Sequence, residues 1–163
     1  MYTIVFIFIF LLGTIIGSFL NVVIYRFNTG RSVSKGRSIC MTCNRTLRWY
    51  ELIPVFSFLI QSGKCRRCAS IISHQYPLVE FGTGLIFAIT TIHFLPVLSF
   101  SQGSFILLVI LFSFIFSLLI VISVYDVRHK IIPDKLSYLY AFVAFLSIFV
   151  NHTGIGPMFV MPS

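Results

Sequence analysis

Four cysteines and one aspartate are the residues of this 163-residue chain best suited to chemistry. Cys40 and Cys43 form one CxxC pair and Cys65 and Cys68 a second, so all four cysteines are used, with 21 residues (44–64) between the pairs. That spacing fits a four-cysteine zinc site in which each turn presents two sulfurs to one ion. Four thiolates leave no position open for water or substrate, so such a metal would be structural. Thiol exchange and two disulfides are the competing readings, because spacing alone does not separate them from a metal site.

The acids are few enough to take one by one. Asp126 ends a long uncharged run and would lie at, or just inside, the boundary of a membrane. A carboxylate costs about 2.5–3.5 kcal/mol at mid-bilayer and less near the interface, so its presence there calls for a partner or a purpose. Burial would raise its pKa toward a range useful for acid/base work. The bland reading is an interfacial Asp paired with Arg128 or His129. Glu51 lies in a basic loop and reads as charge balance. Glu80 reads as the opening of a helix, where the dipole favours an acid. Asp134 reads as the N-cap of a helix beginning near Lys135.

The elements that must position these residues belong in a bilayer. Hydrophobic residues make up 58% and charged residues 10%, too little polar surface to cover a soluble globule. Residues 1–25 carry no charge and are enough for one crossing. A signal peptide fits less well, since no basic n-region or small-residue cleavage site accompanies the run. Residues 81–125 are again uncharged, broken near Pro96 by Ser99, Ser101, Gln102, Gly103 and Ser104, and read as two helices joined by a turn. A shorter apolar run from Leu136 to Val150, extending toward Met161, reads as a fourth helix. The expected fold class is therefore an all-α polytopic membrane protein of about four transmembrane helices, with a cytoplasmic four-Cys loop between the first and second.

The net charge of +8 is concentrated, with nine of the twelve Lys and Arg residues lying between Arg26 and Arg67. A second cluster comprises Arg128, Lys130 and Lys135. Lys and Arg are absent from the Pro96 to Ser104 turn and from both termini, so the positive-inside rule puts both basic segments in the cytoplasm. Beside spanning helices such a patch faces anionic lipid rather than nucleic acid, and no nucleic-acid partner is expected. A reducing cytoplasm disfavours disulfides and leaves thiolates for zinc. Between the pairs, the apolar segment Leu52 to Ile60 contains Pro54; it lies either at the membrane surface or against the knuckle.

The chain resembles the type IV prepilin peptidases, membrane aspartyl enzymes that process pilins and the pseudopilins of type II secretion. Gly17, Ser18, Phe19, Leu20, Asn21, Val22, Val23, Ile24, Tyr25 and Arg26 resemble the family's Gly-Ser-Phe-x-Asn-Val-x-x-x-Arg signature. Trp49, Ile53, Pro54, Ser57, Gly63, Ile72, Ser73, Tyr76, Pro77, Glu80 and Gly84 follow in the family's order around the two CxxC pairs. Asp126, Ile132, Pro133 and Asp134 are similar to the segment of its first catalytic aspartate.

The resemblance implies that Asp126 is one of two carboxylates that activate water to cleave a short basic leader from a prepilin or pseudopilin, on the cytoplasmic side of the bacterial plasma membrane. It also implies N-methylation of the new N-terminus with S-adenosylmethionine, although no cofactor loop is recognisable. The family's second aspartate is expected in a Gly-x-Gly-Asp motif, which this sequence lacks: Gly154, Ile155 and Gly156 are followed by Pro157. Asp134 is a poor substitute, since eight residues of helix span about 12 Å and Pro133 interrupts them. The sequence is thus expected to be the family's N-terminal portion, truncated before the second aspartate. The expected organisation is a transmembrane helix over about 1–25, the four-Cys loop over about 26–77 and a partial peptidase domain over about 78–163, with helices near 78–97, 105–126 and 135–155. Two other functions stay open, a catalytically incomplete protein that binds prepilin or secretion components through its zinc loop, and a membrane thiol oxidoreductase.

Overall fold

The computed structural model describes residues 2–27, 29, 32, 33 and 36–152. Within them the chain is all-helical, with α1 over Tyr2–Arg26, α2 over Phe56–Ile60, α3 over Gln75–Phe94, α4 over Gln102–His129 and α5 over Asp134–His152. Short 3₁₀ turns occupy Trp49–Leu52 and Leu95–Ser99. Extended pairing among the described residues is limited to two isolated antiparallel bridges, Ile39 with Thr46 and Lys64 with Ile71.

Three stretches, Thr3–Arg26, Gln75–Ser99 and Gln102–His129, are long and apolar enough to cross a membrane. The shortest has 24 residues, a rise of about 36 Å, against about 30 Å of hydrocarbon. This is a membrane protein. The expected fourth helix is present as α5, which has 19 residues and does not join those three. Its expected extension toward Met161 falls outside the described residues.

The chain divides into two compact units, Met1–Leu85 and Ile86–Ser163. In the first, α1 crosses the start of α3 at two glycines. A Cβ on Gly17 would stand 2.8 Å from the Cα of Glu80, and one on Gly84 would stand 2.9 Å from the carbonyl of Phe10. Only the absence of a side chain allows that approach, the usual means of joining helices where lipid supplies no hydrophobic drive. Around the crossing, Phe10 meets Phe81 edge-on and Tyr25 stacks on Tyr76 at 4.9 Å. Asn21, almost wholly buried, donates through Nδ2 to the Tyr76 carbonyl at 3.1 Å and fixes the register. Thr83 is also buried, and its hydroxyl donates to the Val79 carbonyl, so it brings no unpaired donor into the interface.

α3 starts at Gln75, before Pro77. The proline falls in the first turn, where its missing N–H forfeits no helical hydrogen bond, and Ser73 Oγ accepts from the Gln75 N–H at 3.2 Å. Glu80 is consequently in the second turn and not at the helix opening, so the dipole does not explain it.

In the second unit, Phe94, Val97 and Leu108 form a buried cluster, with Phe105, Val109 and Phe112 against it. It closes the turn between α3 and α4, and Ser101 caps α4 by accepting from the Ser104 N–H. α4 ends where Lys130 turns left-handed at φ 53° and donates its N–H to the Asp126 carbonyl. The helix therefore ends at His129, four residues before Pro133. The Pro133 carbonyl accepts from the N–H groups of Leu136 and Ser137, and Asp134 is the first residue of α5 rather than the residue before it. α4 and α5 contact each other across this turn.

Candidate functional site

The four cysteines come together. One Sγ from each of Cys40, Cys43, Cys65 and Cys68 lies within 4.8 Å of all the others, and none is in a disulfide. The two CxxC pairs are built alike. Cys40 N–H donates to the Arg45 carbonyl and its own carbonyl accepts from Asn44 N–H; Cys65 N–H donates to the Ser70 carbonyl and its carbonyl accepts from Ala69 N–H. In each turn the residue after the second cysteine is left-handed, Asn44 at φ 53° and Ala69 at φ 54°. That reversal folds the chain back after the second sulfur, and the bridges Ile39 with Thr46 and Lys64 with Ile71 close each knuckle. Asn is the residue that tolerates this conformation best after Gly, whereas Ala adopts it at a cost.

The distances suit a tetrahedral ion. Zinc–sulfur bonds of about 2.3 Å place tetrahedral sulfurs about 3.8 Å apart, and Cys40 Sγ lies 3.8 Å from Cys68 Sγ. Ser70 Oγ is 3.1 Å from Cys68 Sγ and 3.7 Å from Cys40 Sγ, a hydroxyl placed to donate to thiolates.

Backbone N–H groups aimed at the sulfurs hold part of the set ready to ionise. The Cys43 N–H, with help from Thr42 and Ser70, brings Cys40 down to about 6 against the cost of burial. Cys65 is lowered chiefly by the N–H groups of Cys68 and Arg67. Cys43 goes the other way, to about 11: the Arg45 N–H lowers it, but desolvation and the neighbouring sulfurs of Cys40, Cys68 and Cys65 outweigh that. Four crowded thiols resist becoming four thiolates unless a cation joins them.

Charge around the cluster is organised by Glu51. Its buried carboxylate accepts from Arg45 Nη2 at 2.6 Å and from the Arg48 N–H at 2.8 Å. Burial alone would raise its pKa, but the Arg48 N–H and the Arg45 guanidinium overcome this and hold it below the usual carboxylate range. Arg45 is raised in turn, and Arg66 lies over the Tyr50 ring at 5.3 Å. Glu51 is thus more than charge balance, since it ties the first knuckle to the Trp49–Leu52 turn.

Glu80 has a role that sequence reading missed. Its Oε2 accepts from the Val55 N–H at 2.7 Å, joining α3 to the turn before α2. Val55 has φ 60° and ψ −52°, a rare backbone for a β-branched residue. Nothing in the local sequence announces a contact between residues 25 positions apart.

Asp126 stands in the last turn of α4, half-buried, beside the buried Tyr125, whose ring lies 4.4 Å from that of His129. The described residues contain one salt bridge, Arg45 with Glu51, and Asp126 takes no part in it.

Residues 11–94 match the family model described as the bacterial peptidase A24 N-terminal domain. The chain is similar to the prepilin leader peptidase/N-methyltransferase of Bacillus subtilis (strain 168), at 39% identity over 139 residues, covering 85% of this chain and 52% of that protein. The protein of the same name from Myxococcus xanthus (strain DK1622) is 49% identical over 81 residues, 50% of this chain and 24% of its own length. That of Klebsiella pneumoniae is 32% identical over 136 residues, 80% and 56% respectively. The chain thus spans about half, or less, of the length of these curated relatives. No solved structure matches it.

Proposed function

This chain belongs to the type IV prepilin peptidase family through its A24 N-terminal domain, and from that premise we propose that it serves leader-peptide cleavage of prepilins or pseudopilins at the cytoplasmic face of the bacterial inner membrane. The observation that carries the reading is Asp126, the sole acid of α4, which follows the uncharged run 102–125 and takes part in no salt bridge among the described residues.

Peptide hydrolysis by an aspartyl pair needs one carboxylate ionised and one protonated. The first takes a proton from water as the oxygen attacks the scissile carbonyl, and the second supplies a proton so that the C–N bond breaks to a carboxylic acid and an amine. Asp126 is one member of that pair. Glu51 is held by Arg45 and Arg48, and Glu80 by Val55, so neither is free to be the other. Asp134 opens α5 beyond the Lys130 turn. The second carboxylate is assigned instead to a Gly-x-Gly-Asp segment that residues 1–163 do not contain.

Cys40, Cys43, Cys65 and Cys68 would hold a zinc ion in a closed set of four thiolates, which joins the two knuckles and supplies no reaction step. Methylation of the new N-terminus with S-adenosylmethionine is proposed as the accompanying activity, in keeping with the relatives' names. The bilayer surrounds α1, α3 and α4, and the prepilin leader is the partner.

The test is prepilin processing, read as a gel shift, in cells lacking their own peptidase. The chain would be expressed alone and together with the C-terminal part of the Bacillus subtilis relative. Processing in the paired arm, abolished by Asp126→Ala and kept by Asp134→Ala, is the expected result. Processing that survives Asp126→Ala would remove that residue from the catalytic pair. Captured but uncut prepilin in both arms would favour a binding protein instead.

A further inference from the structure

We propose that residues 53–60, the Pro54 turn and α2, are an interfacial anchor whose apolar side chains lie in the headgroup–acyl boundary of the bilayer. The inference depends only on α3 crossing a membrane, not on the activity proposed above.

Depth is the first argument. Tyr25 and Tyr76 stack where α1 ends and α3 begins, the place where membrane proteins set their aromatic belts. Glu80 lies four residues further along α3, about 6 Å deeper at 1.5 Å per residue. Its carboxylate grips the Val55 N–H at 2.7 Å, so the turn is fixed on the bilayer side of the tyrosine pair. Interfacial segments sit with their apolar face about 5–10 Å into this boundary.

The surface of the segment is the second. Phe56, Leu59 and Ile60 are 57%, 64% and 71% exposed, and Ile53 beside them is also exposed. On the opposite side, Phe58 turns inward against Gly63 and the His74 ring. The helix therefore has an inner face already used and an outer apolar face with no protein covering it among the described residues. In water that patch would be a liability. At the depth set by Glu80 it meets acyl chains.

Charge supplies the third. Within residues 49–63 the sole charged side chain is Glu51, which Arg45 and Arg48 occupy. Cations stand on both flanks, Arg45 and Arg48 before and Lys64, Arg66 and Arg67 after. An uncharged apolar centre between basic flanks is what an anionic headgroup layer accepts. The positive φ of Val55 belongs to the same device, since a strained β-branched residue persists only where its surroundings hold it.

Trp49 is the only tryptophan of the chain, which makes the test direct. In a Trp49→Phe background, Leu59→Trp and Ile60→Trp would each be placed in nanodiscs of phosphatidylcholine and phosphatidylglycerol. Both positions are more than half exposed, so an indole fits without repacking. Part of the phosphatidylcholine would be brominated either high on the acyl chain or near its end. Bromines high on the chain should quench both indoles by about twofold, and those near its end distinctly less, as an interfacial depth requires. Emission from both variants unaffected by either lipid would overturn the anchor and leave the face to a protein partner. Stronger quenching by the deep bromines would overturn the interfacial depth.

Discussion

Glu51 shows how one buried carboxylate can organise a loop that has almost no hydrophobic core. Its two oxygens are satisfied by Arg45 and by the Arg48 N–H, and these hold its pKa below the ordinary value despite burial. The sign of the linkage follows. A group whose folded pKa is depressed contributes stability that is fully present above its unfolded value, about 4.3, and is lost as pH falls through the lower folded value. Trp49 stands two residues away and is the chain's one tryptophan, so its emission reports the turn. On acidification the emission should change with a midpoint below about 4.3, and this step should disappear in Glu51→Gln. A Glu51-dependent midpoint at or above the ordinary carboxylate value would contradict the assignment.

Helices were the most legible elements in this sequence, because long gaps between charges leave few choices in lipid. The knuckle was equally legible from two CxxC pairs, yet its internal likeness was not. It lies in backbone contacts five residues apart, Cys40 with Arg45 and Cys65 with Ser70, and in left-handed residues as unlike as Asn44 and Ala69. Glu80 escapes the sequence for a physical reason: a helix read as starting near residue 78 puts the acid at its opening, but a proline is tolerated inside a first turn. The helix begins earlier, and its acid faces a loop instead of a helix end. The glycines carried information that spacing alone could not decode, since Gly17 and Gly84 touch the partner helix whereas a Cβ on Gly82 would meet nothing within 4 Å. Gly17→Ala should therefore lower resistance to unfolding by about 1–3 kcal/mol, because the added methyl meets the Glu80 backbone, which has no rotamer to yield. Gly82→Ala should be neutral or slightly stabilising through helix propensity. Unfolding of both variants in mixed micelles with rising dodecyl sulfate gives the comparison, and equal effects at the two sites would show that the crossing is looser than described.

At the scale of the whole molecule, the side of the membrane on which each segment lies is the property that function needs most. Charge is the only guide to it. Nine of twelve cations fall between Arg26 and Arg67, and the remaining three, Arg128, Lys130 and Lys135, cluster at the end of α4 and the start of α5. Between these groups run two candidate spans, Gln75–Ser99 and Gln102–His129, joined by a turn without Lys or Arg. Two spans in succession return the chain to its starting side, so both basic segments can obey the positive-inside rule together, which an odd number would forbid. The thiol cluster would then stand in a reducing compartment, where thiolates remain free for metal. Asp126 would meet leaders that have not yet crossed the membrane. Alkaline phosphatase, active only outside the cytoplasm, should therefore be active when fused after Phe100 and inactive when fused after Gly36 or Lys130. The reverse pattern would place the four cysteines in an oxidising space, where disulfides replace the metal site, and would part Asp126 from any cytoplasmic substrate.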